Sequence, residues 1–197
     1  MAFTKEADFE AALINMLSEH GWEQEVLHHY TARQLVQNWA DILYENNRGV
    51  DRLNDYPLTE GEMRQVLEQI AALRTPLRLN GFINGKSVTI TRDNPDDARH
   101  FGKEVSLKIY DRREIAAGQS RYQIVRQPRF SGKSKLLGGR RGDLMLLING
   151  MPLIHIELKK SGIPVSQACN QIEQYAAEGV FTGLFALVQI FVAMNPE

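Results

Sequence analysis

Three charged residues, Asp143, Glu157 and Lys159, lie in an otherwise strongly apolar part of the chain. Side chains alternate between the two faces of a strand, so Glu157 and Lys159 point the same way while Leu158 points into the core. Burying charged groups among apolar strands is costly unless something compensates them. Two carboxylates, a backbone carbonyl and water suit Mg²⁺, and a lysine beside them could position or deprotonate water or neutralise charge on a phosphate.

A predicted hairpin brings these three residues together. Residues 143–148 and 153–159 have the pattern of strands, and the Asn149-Gly150 pair between them is a strong signal for a hairpin turn. A Glu-x-Lys triplet alone is more typical of a solvated surface hairpin. The aspartate on the paired strand and the apolar flanks favour a site at one edge of a buried sheet.

The remaining pattern predicts an α/β fold in which helices come first and strands follow. The predicted elements, in chain order, are helices that begin near Thr4, Thr31 and Thr59, strands over 87–91, 105–110, 122–126, 143–148 and 153–159, a helix over 165–178 and a buried strand over 184–192. Thr4 is a candidate N-cap, and Thr59 has the spacing of a capping box with Glu62. The first helix has an apolar stripe at helical spacing, formed by Phe9, Leu13, Ile14 and Leu17. We predict one domain over 1–197, with a mainly helical part over 4–75 and a sheet-containing catalytic core over 81–194.

Composition limits the function classes. The chain has 197 residues, 43% of them hydrophobic and 24% charged, which is typical of a globular domain and excludes wholesale disorder. The net charge is −1, so contact with nucleic acid would need a local basic patch. A single cysteine, Cys169, and the absence of an apolar signal segment predict a cytoplasmic protein.

A basic run precedes the strand that carries Asp143. Residues 121–142 contain seven basic side chains and no acidic one. These are Arg121, Arg126, Arg129, Lys133, Lys135, Arg140 and Arg141. A solvated surface loop explains any single member equally well, but the run as a whole favours contact with the phosphate backbone of DNA.

The spacing Asp-x(13)-Glu-x-Lys on adjacent strands resembles the PD-(D/E)xK nuclease core, a mixed β-sheet flanked by helices. The longer string from Arg141 to Lys160, which includes N-G-M-P-L-I-H-I-E-L-K-K, is similar to the N-terminal nuclease domain of the R subunit of type I restriction enzymes. The likeness spans nearly the whole chain, and it is strongest over 140–194 and loosest over 92–120.

The resemblance implies Mg²⁺-dependent endonucleolytic cleavage of double-stranded DNA. Asp143, Glu157 and the carbonyl of Leu158 would bind Mg²⁺, and Lys159 would be the catalytic lysine. Gly142 departs from the family pattern, because it stands where the pattern has proline.

The helix after the hairpin extends the resemblance. Gln171 and Tyr175 match a Q-x-x-x-Y motif of the family, which implies that they contact DNA or steady the site. From the residues alone, ordinary helix surface and core explain both. Glu6 and Glu10 share a face of the first helix, and a solvated face or a place near the metal explains them equally well. His155 lies on the strand face of Glu157, and no role is assigned to it.

The resemblance also implies partners. In the family the same polypeptide continues into an ATP-driven translocase and assembles with modification and specificity subunits, so we expect this chain to be a fragment that binds no ATP. Two strings, 81–87 and 131–134, imitate a phosphate-binding loop, but neither leads from a strand into a helix.

Two alternatives stay open. The chain could be a nuclease-like module that docks DNA or partner subunits without cutting. It could also be the nuclease domain of another helicase-nuclease.

Overall fold

A computed structural model describes residues 2–49, 52–85, 87–109, 120–130 and 140–197. Its helices are α1 (Glu6–Glu19), α2 (Ala32–Asn47), α3 (Glu60–Ala72), α4 (Pro76–Ile83) and α5 (Ser166–Ala177), with a 3₁₀ helix over Gly183–Leu187. Its strands are β1 (Leu27–His28), β2 (Ser87–Thr91), β3 (Glu104–Lys108), β4 (Tyr122–Arg126), β5 (Arg129–Phe130), β6 (Arg140–Arg141), β7 (Leu144–Ile148), β8 (Met151–Leu158) and β9 (Ile190–Met194). The predicted α/β fold is confirmed.

The main sheet is mixed and has the strand order β1-β4-β7-β8-β9. Its central strands β4, β7 and β8 are antiparallel, whereas β1 and β9 run parallel to their neighbours at the two edges. Two short antiparallel pairs, β2-β3 and β5-β6, lie outside this sheet. The strand carrying Glu157 therefore lies between β7 and β9.

Helices cover both faces of the main sheet. An apolar stripe on α1 packs against alternate residues of β4, β7 and β8; the stripe consists of Phe9, Leu13, Ile14 and Leu17, as its helical spacing predicted. On the other face, α2, α3, α4, α5 and the 3₁₀ helix share one hydrophobic cluster with the sheet. None of the helices within the described ranges is long and apolar enough to cross a bilayer.

The turn between β7 and β8 confirms the hairpin prediction. Asn149 and Gly150 have φ values of 51° and 81°, so both lie in the left-handed region that this turn requires. A Cβ atom on Gly150 would lie 2.9 Å from the Cα of Trp39 in α2. Both the positive φ and the close approach of α2 therefore require glycine at position 150.

The capping box predicted at Thr59 is confirmed, and the helix that begins at Thr31 has a second one. Thr31 and Thr59 accept hydrogen bonds from the third residue of their helices in complete capping boxes. The prediction for Thr4 is wrong, because α1 has Lys5 as its N-cap and no side-chain cap bond. A distant contact fixes the start of α1 instead, since the backbone N–H of Phe3 donates to the hydroxyl of Ser161.

The buried strand predicted over 184–192 is also wrong. Its first half is the 3₁₀ helix, which places Leu184, Phe185 and Leu187 in the core. Its second half begins β9, an edge strand with β8 as its neighbour, and Ile190 and Phe191 are 52% and 44% exposed. An apolar run has the same appearance in a buried turn and in an edge strand, so the sequence could not separate them.

Candidate active site

The β7-β8 hairpin brings the two predicted acidic residues together. Asp143 directly precedes β7, whose first residue, Leu144, lies opposite Ile156 of β8. The backbone N–H of Leu158 donates a 2.7 Å hydrogen bond to Oδ2 of Asp143. Asp143 is thereby fixed beside the end of β8 that carries Glu157.

The carbonyl of Leu158 faces the same side as Asp143. Within a strand, the N–H and C=O of one residue project to the same neighbour. The N–H of Leu158 points to Asp143, whereas that of Lys159 points the other way and donates to the carbonyl of Met194. The structure thus brings two carboxylates and one backbone carbonyl, the predicted metal ligands, to one place.

Burial dominates the electrostatics of the two acids. Glu157 is fully buried, and neither of its carboxylate oxygens has a hydrogen-bond partner among the described residues. Burial raises the pKa of Glu157 to about 7, against the opposing effects of the neighbouring Asp143 carboxyl and, secondly, of the charge of Lys159. Burial, and secondly the negative charge of Glu157, raise the pKa of Asp143 to about 7. An uncompensated carboxylate pair of this kind favours protons or a cation.

A hard divalent cation fits this donor set. Buried oxygens without partners are the groups that such an ion would satisfy, and oxygen ligands suit Mg²⁺. The described ranges contain no group of three or more His, Cys, Asp or Glu side chains that could hold a metal. A cation at this position would therefore depend on Asp143, Glu157, the Leu158 carbonyl and water.

A chain of hydrogen bonds holds the lysine. The Nζ of Lys159 donates to Oε1 of Gln171 at 2.9 Å, and Nε2 of Gln171 donates to the hydroxyl of Tyr175 at 2.7 Å. The Tyr175 hydroxyl donates in turn to the carbonyl of Arg141 at 2.8 Å. The predicted pair on α5 therefore connects the lysine to the backbone two residues before Asp143, so it supports the site directly.

His155 is a site residue to which the sequence assigned no role. It is fully buried, and its Nε2 lies 2.9 Å from Oε1 of Glu157, although neither ring nitrogen makes a hydrogen bond to a described residue. Burial lowers its pKa to about 4, so the ring is neutral. Four aromatic rings surround it, those of Phe130, Tyr175, Phe181 and Phe191. Strand alternation was the signal that placed His155 on the face of Glu157; its burial depends on distant residues.

The packing of His155 explains the glycine at position 142. A Cβ atom on Gly142 would lie 2.7 Å from Cε1 of His155 and 3.2 Å from Oε1 of Glu157. The backbone N–H of Gly142 also donates to the carbonyl of Pro128. A proline would add a side chain and lose this bond, so the departure from the family pattern matches the buried histidine.

The two glutamates of α1 lie in different surroundings. Oε1 of Glu6 lies 4.0 Å from Nζ of Lys159, at the site. Glu10 is buried and pairs at 2.9 Å with Arg126. Of these two glutamates, Glu6 therefore contacts the lysine, whereas Glu10 is engaged by an arginine of β4.

Most of the described arginines in the predicted basic run are neutralised by carboxylates. The ion pairs join Arg121 to Glu23, Arg126 to Glu10 and Arg140 to Glu178. Arg129 and Arg141 lie opposite each other in the β5-β6 pair and are exposed. Lys133 and Lys135 fall outside the described residues. That this run binds DNA stays a prediction, and at the three paired arginines DNA would have to compete with a carboxylate.

A polar cleft of about 580 Å³ opens on Lys159. Glu6, Arg140 and Lys160 contribute to its rim, and the exposed face of α5 forms one wall. A second cavity, of about 510 Å³, lies between α2 and α3 and has none of the predicted site residues in its lining. Of these two cavities, the cleft beside α5 is the one that gives a substrate access to the lysine.

Comparison with known proteins gives one consistent result. The family model described as the N terminus of the type I restriction enzyme R protein matches residues 3–197. An endonuclease subunit of the type I restriction enzyme SsaAORF53P from Staphylococcus saprophyticus is 33% identical over 99% of the chain. The SauMSSORF170P endonuclease subunit from Staphylococcus aureus is 31% identical over 99% of the chain.

A third relative comes from a different bacterium. The EcoprrI endonuclease subunit of a type I restriction enzyme from Escherichia coli is 27% identical over 98% of the chain and 57% of its own length. The chain spans 19% of the length of each of the two staphylococcal relatives.

Proposed function

Because the chain belongs to the family of type I restriction enzyme R proteins, we propose that it is the nuclease module of such a protein. It would hydrolyse phosphodiester bonds of double-stranded DNA with Mg²⁺. The observation that carries this proposal is a buried carboxylate, Glu157, next to the half-buried carboxylate of Asp143, both with pKa values raised to about 7, beside a lysine that lines a polar cleft. The relatives are named as endonuclease subunits of type I restriction enzymes, which supports the same activity.

The carboxylates would bind the metal and so become compensated. Asp143, Glu157 and the Leu158 carbonyl would hold Mg²⁺, and the fit rests on the unpartnered oxygens of Glu157 and on the direction of the Leu158 carbonyl. When bound, the ion supplies positive charge that lowers the pKa of water and offsets charge on a phosphate.

Lys159 would act on the phosphate side of the reaction. Its Nζ is fixed by Gln171, so the ammonium meets a phosphate oxygen without first losing side-chain freedom. In the hydrolysis, the oxygen of a water molecule bonds to phosphorus and gives a proton to solvent, one P–O bond of the backbone breaks, and the leaving oxygen takes up a proton from solvent. Negative charge grows on the phosphate oxygens in the transition state. A positioned ammonium stabilises that charge, whereas the neutral Gln171 and Tyr175 act by holding the lysine.

The whole protein would supply what this chain does not. The relatives are named as subunits, so we propose that the complete R protein assembles with modification and specificity subunits and carries the ATP-driven motor. Choice of DNA sequence and ATP hydrolysis would belong to those parts.

Substitution of Lys159 in the assembled full-length enzyme tests the proposal. Lys159→Ala is expected to lower DNA cleavage by about 10²-fold or more, the effect typical of losing one transition-state contact, while ATP hydrolysis continues. Lys103→Ala, an exposed lysine of the β2-β3 loop, is the matched control and should cut normally. Normal cutting by Lys159→Ala would contradict the proposal. Duplex binding with no cutting even by the unsubstituted enzyme would support the docking-module alternative.

A further inference from the structure

The wall of the cleft beside Lys159 is made of side-chain amides. Gln167, Asn170, Gln171 and Gln174 all line it from α5. Their spacing of three, one and three residues places them on one face of the helix, which we call the carboxamide face. Four neutral groups that each carry donors and an acceptor therefore stand in a row beside the lysine.

Two members of the carboxamide face are occupied within the protein, and two are free. Gln171 bonds Lys159 and Tyr175, and Nε2 of Gln174 donates to Glu178 at 2.9 Å. Gln167 and Asn170 are exposed, and neither side chain forms a hydrogen bond with a residue in the described ranges. The donors of these two side chains are available to a molecule that enters the cleft.

Few of the charged side chains around the cleft are free to bind a ligand, so the carboxamide face supplies most of the free polar groups. Arg140 is held by Glu178 through two hydrogen bonds of 2.7 and 2.6 Å, so much of its charge is already compensated. Lys160 is exposed at the rim and has no ion pair with another described residue. Glu6, also at the rim, lies 4.0 Å from Lys159, so a polyanion in this cleft would meet that carboxylate, one unpaired rim lysine and a row of neutral donors.

We propose that Gln167 and Asn170, together with Lys160, bind the sugar-phosphate backbone of duplex DNA where it approaches Lys159. The inference rests on the proposed nuclease function and adds the residues that seat the substrate. Asn and Gln side chains are frequent donors to phosphate and sugar oxygens, and such contacts fix the position of a duplex without reading its sequence. The α5 contacts would hold any sequence equally well.

Neutral and charged contacts differ in their salt dependence, which allows a sharp test. A lysine that neutralises a phosphate releases a counterion, so its loss lowers the slope of log K against log salt by about 0.9. A carboxamide releases none. Removing Gln167 and Asn170 should therefore weaken binding at every salt concentration and leave the slope unchanged.

The experiment measures binding of a short duplex to the chain by fluorescence anisotropy over a series of salt concentrations. All proteins carry Asp143→Asn so that the duplex is not cut. The double variant Gln167→Ala/Asn170→Ala is expected to bind about tenfold more weakly with an unchanged salt slope, since two neutral hydrogen bonds are lost. Lys160→Ala is expected to lower the slope by about 0.9.

The matched control is Gln24→Ala/Asn46→Ala, which removes two exposed carboxamides that do not line the cleft. It should bind as the parent does. Equal affinity of the Gln167→Ala/Asn170→Ala variant and the parent would overturn the proposal, as would an equal loss in the control or no measurable binding by the parent.

Failure of this inference and failure of the proposed function give different results. If cutting depends on Lys159 but binding is unchanged when Gln167 and Asn170 are replaced, only the DNA-seating role is rejected. Binding that depends on these two residues, combined with cutting that ignores Lys159, would reject the proposed catalytic role and keep the DNA-seating role.

Discussion

Replacing Glu157 with glutamine should stabilise the metal-free chain above neutral pH. Glu157 is fully buried, and the folded state holds its proton more tightly than the unfolded state does. Where a folded-state pKa is raised, the free energy of unfolding falls as pH rises from the unfolded pKa through the folded pKa. The penalty therefore develops between about pH 4.5 and about pH 7, and it remains above that range. Glu157→Gln keeps the shape and removes the charge.

The raised pKa sets the size of the effect. A carboxyl pKa that moves from 4.5 to about 7 corresponds to about 3 kcal/mol of lost folding free energy once the group is ionised. For a chain of this length, that free energy corresponds to a shift of about 6–12 °C in the thermal unfolding midpoint. The charge of Glu157 also raises the pKa of Asp143, so removing that charge lowers the cost of ionising Asp143 and further stabilises the variant.

Urea unfolding in EDTA at about pH 4.5 and at about pH 8 measures the difference between variant and parent. The pKa of His155 is lowered to about 4, so this residue contributes a pH dependence of stability of the opposite sign. For this reason the quantity to compare is the difference in the free energy of unfolding between variant and parent at each pH. We expect Glu157→Gln to gain about 3 kcal/mol at the higher pH and much less at the lower. Glu173→Gln, an exposed carboxylate of α5, should show no such gain. A Glu157→Gln protein that is no more stable than the parent at pH 8 would refute the reasoning.

Three further substitutions have defined outcomes. Tyr175→Phe removes the hydroxyl that links Gln171 to the β6 backbone. Thermal unfolding should show a free energy of unfolding lower by about 1 kcal/mol, and the assembled enzyme should cut more slowly at unchanged DNA affinity. Gly142→Ala places a Cβ 2.7 Å from His155, and urea unfolding should show a loss of about 1–3 kcal/mol; an unchanged midpoint would contradict the close packing. Gly150→Ala forces a side chain into a residue with φ of 81° and should lower the thermal midpoint, with normal stability as the contrary result.

Local signals predicted most of the part of the fold that holds the proposed site. The Asn149-Gly150 turn and the alternation of β8 placed Asp143 and Glu157 on neighbouring strands. The pairing shifts by one residue between Leu146 and Leu147, however, and this irregularity, which no local signal indicated, sets Leu144 instead of Asp143 opposite Ile156. The capping box at Thr59 was predicted correctly because all its partners lie within one helical turn.

Contacts between distant parts of the chain could not be predicted from one sequence. Arg126 meets Glu10 across 116 positions, and no local pattern announces that the arginine is neutralised. His155 was recognised as a neighbour of Glu157, but its burial requires aromatic rings from β5, α5 and β9. The edge position of β9 likewise depends on which strands pair. Periodicity describes one element at a time, whereas these features arise from packing between elements.

Calorimetric titration with Mn²⁺, as a substitute for Mg²⁺, tests the metal site most directly. The chain should bind the ion saturably, and Asp143→Ala should abolish that binding, because it removes one of the two carboxylates that converge beside the Leu158 carbonyl. Binding of Mn²⁺ that is unaffected by Asp143→Ala, or no binding by the unsubstituted chain, would contradict the assignment of Asp143 and Glu157 as the metal-holding pair.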